Sequence, residues 1–369
     1  AHRRGIRPNA RFDPNMTGLV GPQKSLIVTD RGILDAKLMT TNPNFAAAMV
    51  DLLKKGGVKR GDIIAVSCTG SMPGANIAVL SAAEALNLEP LIISSVGASS
   101  WGATHTSFTW VDMLEYLKGE GIFSRGSIAA SMGGSSDIAA NLSEEGKEII
   151  RNAIHRNNIP LIYETTVEDS TQKRLEAYDA AAQDKPIKLF VNVGGGIVSL
   201  GARSNGNLIA AGLNIDLNPA HFYPRGLMYR MIEREIPLIH LLKVRQIIHE
   251  YDLSRFPVPM PTVGEGKVFY QERYSLKSTL FMSLILLITL ALIIELDLYI
   301  IPELRKRLKR HPQRKRSVCP PLFKSIDLHY SDRNFVVCSF IFTRKRQNPS
   351  KQVDACFFKS LGTSQACDL

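Results

Sequence analysis

The chain has 369 residues, a composition near the average of globular proteins, and an uneven distribution of charge. Hydrophobic residues make up 45% and charged residues 21%, which excludes a wholly disordered or fibrous chain. Five cysteines are too few for a disulfide scaffold of this length. The formal net charge is +11, but residues 302–369 contain 15 of the 45 basic and 5 of the 34 acidic residues, which leaves +1 for residues 1–301. The main body therefore gives no indication of a nucleic-acid partner.

Apolar helical patterns alternate with short apolar runs that are typical of buried strands. The pattern predicts helices at 45–55, 75–87, 109–121, 143–157, 167–183, 226–236 and 243–253. It predicts strands at 63–67, 90–95, 127–131, 159–164, 187–193 and 237–242. Repeated helix–strand units of this kind predict an α/β fold with a mainly parallel sheet and helices on both faces.

Composition divides the chain into four parts. Residues 1–256 form the predicted α/β domain, and three closely spaced prolines predict an extended linker over 257–278. Residues 279–301 begin with sixteen positions that carry no charge and predict one transmembrane helix. Residues 302–369 are basic and show no sustained periodicity, which predicts a poorly structured tail.

The charges that flank the apolar span predict its orientation. Eight Lys and Arg residues lie between Arg305 and Arg316, and such an excess marks the cytoplasmic side of a membrane. We therefore expect a protein of the cell membrane, in contact with the lipid bilayer, whose main domain is extracytoplasmic and whose tail is cytoplasmic. Because the sequence begins at Ala1 rather than Met, a signal or a first membrane helix is expected upstream. A buried soluble helix and a nucleic-acid-binding arm are the alternatives for the span and its flank.

Loops rich in glycine and serine follow four of the predicted strands. The carboxyl ends of parallel strands meet at one edge of a sheet, where ligands bind. Glycine lets backbone N–H groups approach a ligand, and serine hydroxyls add donors, so the loops predict a cleft for a carboxylate or phosphate, with ordinary structural turns as the alternative. The candidate ligand-binding residues are Gly70, Gly74, Gly97, Gly102, Gly133, Gly134, Gly194, Gly195 and Gly196.

The signatures of catalysis are incomplete. No P-loop motif occurs, and the segment 97–101 resembles the nucleophile elbow GxSxG but has Trp101 in place of its last glycine. A serine hydrolase would draw on Ser71, Ser99, Ser135, His105 and Asp137 as candidate catalytic residues. Whether the protein is an enzyme stays open at this point.

The remaining chemistry-bearing residues predict no metal or cofactor. No cluster of His, Asp, Glu or Cys has the spacing of a metal site, and no complete dinucleotide fingerprint occurs. Cys68 and His240 lie in apolar runs, where a core residue is the simpler expectation.

Several segments resemble the poly-gamma-glutamate system protein family. They are residues 28–66, 70–105, 191–201, 236–245 and 263–275, the last of which precedes the apolar span. The resemblance implies a bacterial membrane protein of the machinery that makes or exports poly-γ-glutamate as a capsule or exopolymer. It also implies membrane-bound synthase or export proteins, and the polymer chain itself, as partners. It supplies no established reaction and no catalytic residues.

Two molecular roles agree with that setting. As an accessory component of poly-γ-glutamate biosynthesis or export, the domain would bind the polymer or the synthase. As an extracytoplasmic enzyme, it would hydrolyse or transfer γ-glutamyl amides in the Ser/Gly-rich cleft. The incomplete catalytic signature favours the accessory role on the sequence alone.

Overall fold

A computed structural model describes residues 5–218, 223–270 and 275–310. The chain divides into two compact units, Ala1–Ser278 and Thr279–Leu369. The predicted poorly structured tail lies, beyond residue 310, outside the described residues.

A seven-stranded sheet organises the first unit. The strands of the unit are β1 (Val28–Asp30), β2 (Ile63–Thr69), β3 (Glu89–Ser95), β4 (Ala98–Ser99), β5 (Ser127–Ser131), β6 (Leu161–Ile162), β7 (Ile187–Val193), β8 (Gly212–Asn214) and β9 (Leu238–Leu241). The strand order in the sheet is β6–β5–β3–β2–β7–β9–β8. All neighbouring strands of this sheet are parallel except β8 and β9. The predicted α/β fold with a mainly parallel sheet is therefore confirmed. A separate parallel pair is formed by β1 and β4.

Helices follow most of the strands, and some of them begin at a residue whose side chain caps the helix. They are α1 (Leu34–Thr40), α2 (Phe45–Lys55), α3 (Pro73–Ala85), α4 (Trp110–Gly119), α5 (Glu144–Arg156), α6 (Val167–Ala182), α7 (Ile197–Leu200), α8 (Leu227–Glu233) and α9 (Val244–Glu250). The Ser143 hydroxyl accepts the N–H of Gly146 at the start of α5, and Thr109 and Asp112 form a capping box at the start of α4. These side chains satisfy N–H groups that have no partner within the helix.

The order of the strands creates a switch point between β2 and β7. From β2 the chain adds β3, β5 and β6 on one side, and it then returns to place β7 and β9 on the other side of β2. In open sheets of this kind, ligands bind beyond the carboxyl ends of the two strands that flank the switch point. Those ends carry Thr69 to Ser71 and Val193 to Gly196.

Strand β2 lies at the centre of the core, because all seven of its residues are buried. Ile64, Val66 and Cys68 belong to one hydrophobic cluster, with residues of α2 and α3. Ala65 belongs to a second cluster, with residues of α6 and α8. Cys68 is thus a core residue as predicted, and its burial raises the pKa of its thiol.

The proline-rich segment predicted as a linker contacts the first unit over its described part. The Asn44 side-chain amide donates to the carbonyl oxygens of Thr262 and Glu265 and accepts the N–H of Gly264. Val268 packs on the main core cluster. These contacts account for the place of residues 257–270 within the first compact unit.

The described part of the second unit is helical throughout. α10 (Leu276–Glu295) runs into a π-helical turn at Leu296–Ile300 and then into α11 (Ile301–Arg310). Together Leu276–Arg307 form one candidate membrane-spanning helix. An 18-residue window of this helix has a mean hydropathy of 2.6, and no part of that window is buried.

Candidate active site

Three of the four predicted loops meet at the carboxyl edge of the sheet. Backbone hydrogen bonds join them directly: the N–H of Gly70 donates to Ser95, that of Gly97 donates to Met132, and that of Ala103 donates to Gly70. The expectation that these loops share one edge therefore agrees with the geometry.

Most of the candidate glycines in these loops pack backbone against backbone. A Cβ at Gly70 would lie 2.4 Å from the Val96 oxygen, and one at Gly102 would lie 2.6 Å from the Gly70 oxygen. Gly74 and Gly97 make similarly close approaches to Thr40 and Met132, while Gly133 and Gly134 have φ of +73° and +70°. Glycine at these six positions is thus explained by close packing and by turns that other residues rarely adopt.

Two of the candidate serines contact one another at this edge. The Ser99 N–H donates to the Ser71 Oγ at 2.9 Å, and both side chains are half-buried. Ser71 follows β2 and Ser99 ends β4, so residues 28 positions apart in sequence are joined by the meeting of two loops.

Ser99 stands at a tight turn with backbone strain. The Gly102 N–H donates to the Ser99 carbonyl at 2.9 Å, and Trp101 within this turn has a φ of +63°. A non-glycine residue in that conformation costs about 1–2 kcal/mol. Trp101 occupies the position where the GxSxG motif has glycine, and it adopts the conformation that glycine would favour. The turn differs from a true elbow because the next helix, α4, begins only at Trp110.

Lys37, on α1, reaches both serines from the protein interior. Its Nζ lies 2.8 Å from the Ser99 Oγ and also donates to the Ser71 carbonyl oxygen. The residue is only 5% exposed, and among the ion pairs of the described residues none involves it. Burial without a compensating carboxylate lowers the pKa of Lys37 to about 8.

This arrangement has the elements of a Ser–Lys pair. A lysine whose pKa is near 8 is partly neutral at neutral pH, and a neutral amine can accept a proton from a hydroxyl. The Ser99 Oγ is the hydroxyl within hydrogen-bond distance of it. Such pairs serve as variants of the serine–histidine arrangement in acyl-transfer enzymes.

The other three candidate catalytic residues have different partners. The His105 Nδ1 contacts the N–H and Oγ of Ser107 in its own turn. Ser135 is exposed, and its N–H donates to the Asn141 side chain. The structure thus brings Ser71 and Ser99 together and gives His105 and Ser135 local contacts of their own.

Asp137 belongs to a buried ion pair. Its carboxylate accepts hydrogen bonds from the hydroxyls of Ser131 and Ser170 and pairs with Arg174 at 3.0 Å. Asp137 and Arg174 are 4% and 1% exposed. The carboxylate therefore has a complete set of partners that holds the loop after β5 against α6.

Sequence reasoning missed Lys37, although one clue was present. Lys37 is the only charged residue between Asp35 and Asp51, within an otherwise apolar and small-residue stretch. A lone charge there points to a buried or paired lysine, but its contact with Ser99, 62 positions away, depends on the pairing of β1 with β4.

Among the described residues, no group of three or more His, Cys, Asp and Glu residues could hold a metal ion. Comparisons with protein families, with curated proteins and with solved structures find no match. The fold and the site define an α/β protein in which a buried lysine contacts a half-buried serine at the carboxyl edge of the sheet.

Proposed function

We propose that the first unit is an acyl-transfer enzyme that acts on an amide bond, with Ser99 as the nucleophile and Lys37 as its general base. The single observation that carries this proposal is the 2.8 Å contact between the Ser99 Oγ and a lysine that is buried without a carboxylate partner. The strained turn at Trp101 supports it, because such strain is concentrated at functional sites.

A purely structural role accounts less well for the lysine. Burying an ammonium group without a counter-charge costs several kcal/mol, and an apolar side chain of similar length would pack at that position without the penalty. A catalytic role explains why the lysine is buried despite this cost in free energy. Burial brings the pKa of Lys37 close to neutral pH, which makes its amine reactive.

In the proposed reaction, the Lys37 Nζ accepts and returns the proton in each step. The Ser99 Oγ attacks the amide carbonyl carbon while its proton moves to the neutral Lys37 Nζ. The C–N bond then breaks, and the leaving amine takes that proton from Lys37. Water or a second amine attacks the resulting ester and gives its proton to Lys37. When the ester bond breaks, the Ser99 Oγ takes that proton from Lys37, so that both groups return to their starting states.

The proposed substrate is a γ-glutamyl amide, and the proposed setting is poly-γ-glutamate biosynthesis or export. Both follow from the resemblance of five segments to the poly-gamma-glutamate system protein family. We place the first unit outside the cytoplasm and the basic segment after α10 inside, since the candidate membrane-spanning helix is followed by basic residues. Synthase or export membrane proteins would be its partners.

The proposed site requires that helices cover both faces of the sheet. The carboxyl edge of the sheet is then the side that is open to a substrate. Support comes from β2, whose alternate residues belong to two separate core clusters. Successive residues of a strand point to opposite faces, so each cluster lies on one face, and each includes helical residues.

An accessory binding role is the second candidate, and one observation favours it. A surface concavity of about 500 Å³ lies near Asp216, Glu235 and Pro237, at the opposite edge of the sheet from Ser99. An accessory component would bind its partner without any turnover at Ser99.

Hydrolysis of γ-glutamyl oligomers by the full chain in detergent tests the proposal. Chromatography of the products would measure the rate for wild type and for Ser99→Ala, Lys37→Met and Ser135→Ala. We expect a loss of about 10²-fold or more for the first two variants, since positioned general bases contribute about 10²–10⁴-fold. Ser135→Ala is the matched control and should retain wild-type activity. Full activity in Ser99→Ala, or oligomer binding by wild type without turnover, would contradict the enzymatic role and favour the accessory one.

A further inference from the structure

The candidate membrane-spanning helix ends in a group of basic residues. Arg305, Lys306 and Arg307 are consecutive in α11, and all three are exposed. We refer to these three residues as the basic turn. Successive residues of an α-helix are roughly 100° apart around its axis, so three consecutive charges extend over more than half of the helix circumference.

The basic turn has little negative charge beside it to compensate it. The Lys306 Nζ lies 3.9 Å from the Glu303 carboxylate, and their side chains are 72% and 58% exposed. This contact is the one ion pair that the basic turn forms with other described residues. An exposed pair at that distance contributes little free energy. The basic turn therefore keeps a net positive charge that is available to a partner.

The length of the helix indicates where that partner lies. Leu276–Arg307 has 32 residues, which at about 1.5 Å per residue corresponds to roughly 48 Å. The hydrocarbon core of a bilayer is about 30 Å thick, or about 40–45 Å with its headgroups. A helix of this length that crosses the core therefore extends into the headgroup layers, and the basic turn forms one of its ends. Tyr299, which precedes the basic turn and is 72% exposed, is of a residue type enriched at this interface.

The two sides of α11 differ in chemistry. Ile301 and Leu304 are three positions apart, so they lie on one side of the helix, and they are 38% and 52% exposed. The basic turn covers the other side. A helix with an apolar side and a basic side is typical of segments that contact the surface of anionic membranes.

We propose that the basic turn is a binding surface for the headgroups of anionic phospholipids. An anionic headgroup brings a phosphate whose charge is not compensated, and guanidinium groups bind phosphate through paired N–H donors. A zwitterionic headgroup carries its own ammonium group and has no net charge to attract. The proposal requires that Leu276–Arg307 crosses a bilayer, but it holds for either orientation of the helix and does not depend on the chemistry of Ser99.

Electron paramagnetic resonance of spin-labelled lipids tests this proposal, with the full chain reconstituted in phosphatidylcholine bilayers. Lipids beside a membrane-spanning helix give a motionally restricted spectrum, whose fraction yields an association constant for each labelled lipid. Labelled phosphatidylglycerol should associate about threefold or more strongly than labelled phosphatidylcholine, because Lys and Arg near the surface attract anionic lipids. Raising the salt concentration from about 0.1 M to about 1 M should reduce this preference, since salt screens exposed charges. The readout requires no enzymatic activity, so it separates failure of this surface from failure of the acyl-transfer proposal.

Two triple variants make the assignment specific. The first combines Arg305→Gln, Lys306→Gln and Arg307→Gln, and it should lower the preference for phosphatidylglycerol about twofold or more. Part of the preference should remain, because further basic residues follow the basic turn in the sequence. The matched control removes the same amount of charge from exposed positions of the first unit and should keep the wild-type preference; it combines Lys59→Gln, Arg60→Gln and Arg125→Gln.

Three results would overturn the proposal. They are the absence of any restricted lipid in wild type, equal association of the two labelled lipids, and the same preference in both triple variants. Equal association of the lipids, together with binding of an RNA oligonucleotide that only the first triple variant loses, would assign the basic turn to nucleic acid instead.

Discussion

At the scale of single residues, two buried basic side chains, Arg174 and Lys37, have opposite surroundings. Arg174 lies against the Asp137 carboxylate and the hydroxyls of Ser95 and Ser131, so its charge is matched within the core. Lys37 has only a carbonyl oxygen, a hydroxyl and a thioether around its amine. The first arrangement stabilises a charge, whereas the second keeps an amine ready to lose its proton.

The lowered pKa of Lys37 predicts a pH-dependent stability. Between pH 8 and the ordinary value of 10.5, the folded state binds fewer protons than the unfolded state, so the free energy of unfolding should rise with pH. The expected gain is about 3 kcal/mol, at roughly 1.4 kcal/mol for each pH unit. Urea unfolding of the full chain in detergent from pH 7 to 10.5 would measure it. Lys37→Met should lack this component, and Lys118→Met, at an exposed lysine, should keep it; identical profiles for Lys37→Met and wild type would contradict the assignment.

Within the glycine triplet 194–196, Gly194 has a conformation that favours glycine, whereas Gly195 does not. Sequence reasoning treats the three glycines alike as candidate ligand-binding residues, but of the three only Gly194 has a positive φ, +84°. Gly194→Ala should lower the free energy of unfolding by about 1–3 kcal/mol, because its methyl group would also meet the Thr69 hydroxyl at 2.7 Å. Gly195→Ala, whose methyl group would meet the ends of the flexible Leu242 and Leu200 side chains, should cost under about 1 kcal/mol. Equal losses in urea unfolding would show that the loop conformation is misassigned.

At the scale of elements, the loop after β5 is attached to α6 by the Asp137–Arg174 pair. Ser136, Asp137 and Ala139 all have positive φ, which is an unfavourable conformation for three non-glycine residues so close together. Hydrogen bonds from Ser131, Ser170 and Arg174 to one carboxylate offset that cost.

Removing one partner of this pair should strongly destabilise the fold. Arg174→Met leaves the Asp137 carboxylate buried without a counter-charge, for which the expected loss is about 3–5 kcal/mol. Lys173→Met is the control on the same helix, because Lys173 is 54% exposed and pairs only with Glu176 at the surface. Its expected effect is below about 1 kcal/mol. If urea unfolding gives similar values for the two variants, the pair does not hold the loop.

Regular elements could be predicted from the sequence more completely than the site. The strands at 127–131 and 187–193 have the bounds that their apolar runs predict, because each run ends at glycine-rich turns. Strands β1 and β4 have only three and two residues and show no period, so only their mutual pairing defines them. That pairing is what brings Ser99 to Lys37, and a contact across 62 positions leaves no local pattern in the sequence.

At the scale of the whole molecule, an α/β unit with a proposed acyl-transfer site and a long apolar helix occur in one chain. The helical segment Leu276–Arg307 has the length and composition to cross a membrane. Its basic continuation would keep the end that follows Ile301 on the cytoplasmic side. The active site would then lie where an exported polymer is accessible.

Protease protection tests the proposed topology. Protease added to intact spheroplasts should degrade an epitope placed in the first unit and should spare an epitope at the C-terminus, because the bilayer shields the cytoplasmic side. Lysed spheroplasts provide the control, in which both epitopes should be lost. Protection of the first unit with loss of the C-terminal epitope would reverse the orientation.

The central claim is that Lys37 activates Ser99, and covalent labelling measures this most directly. A fluorophosphonate reacts with an activated serine, so intact and peptide mass spectrometry of the labelled full chain should place a single adduct on Ser99. The labelling rate should rise with pH through about 8, the pKa of Lys37, and should fall about 10²-fold or more in Lys37→Met. Ser135→Ala should label at the wild-type rate. Absence of an adduct on Ser99, or an unchanged rate in Lys37→Met, would contradict the account.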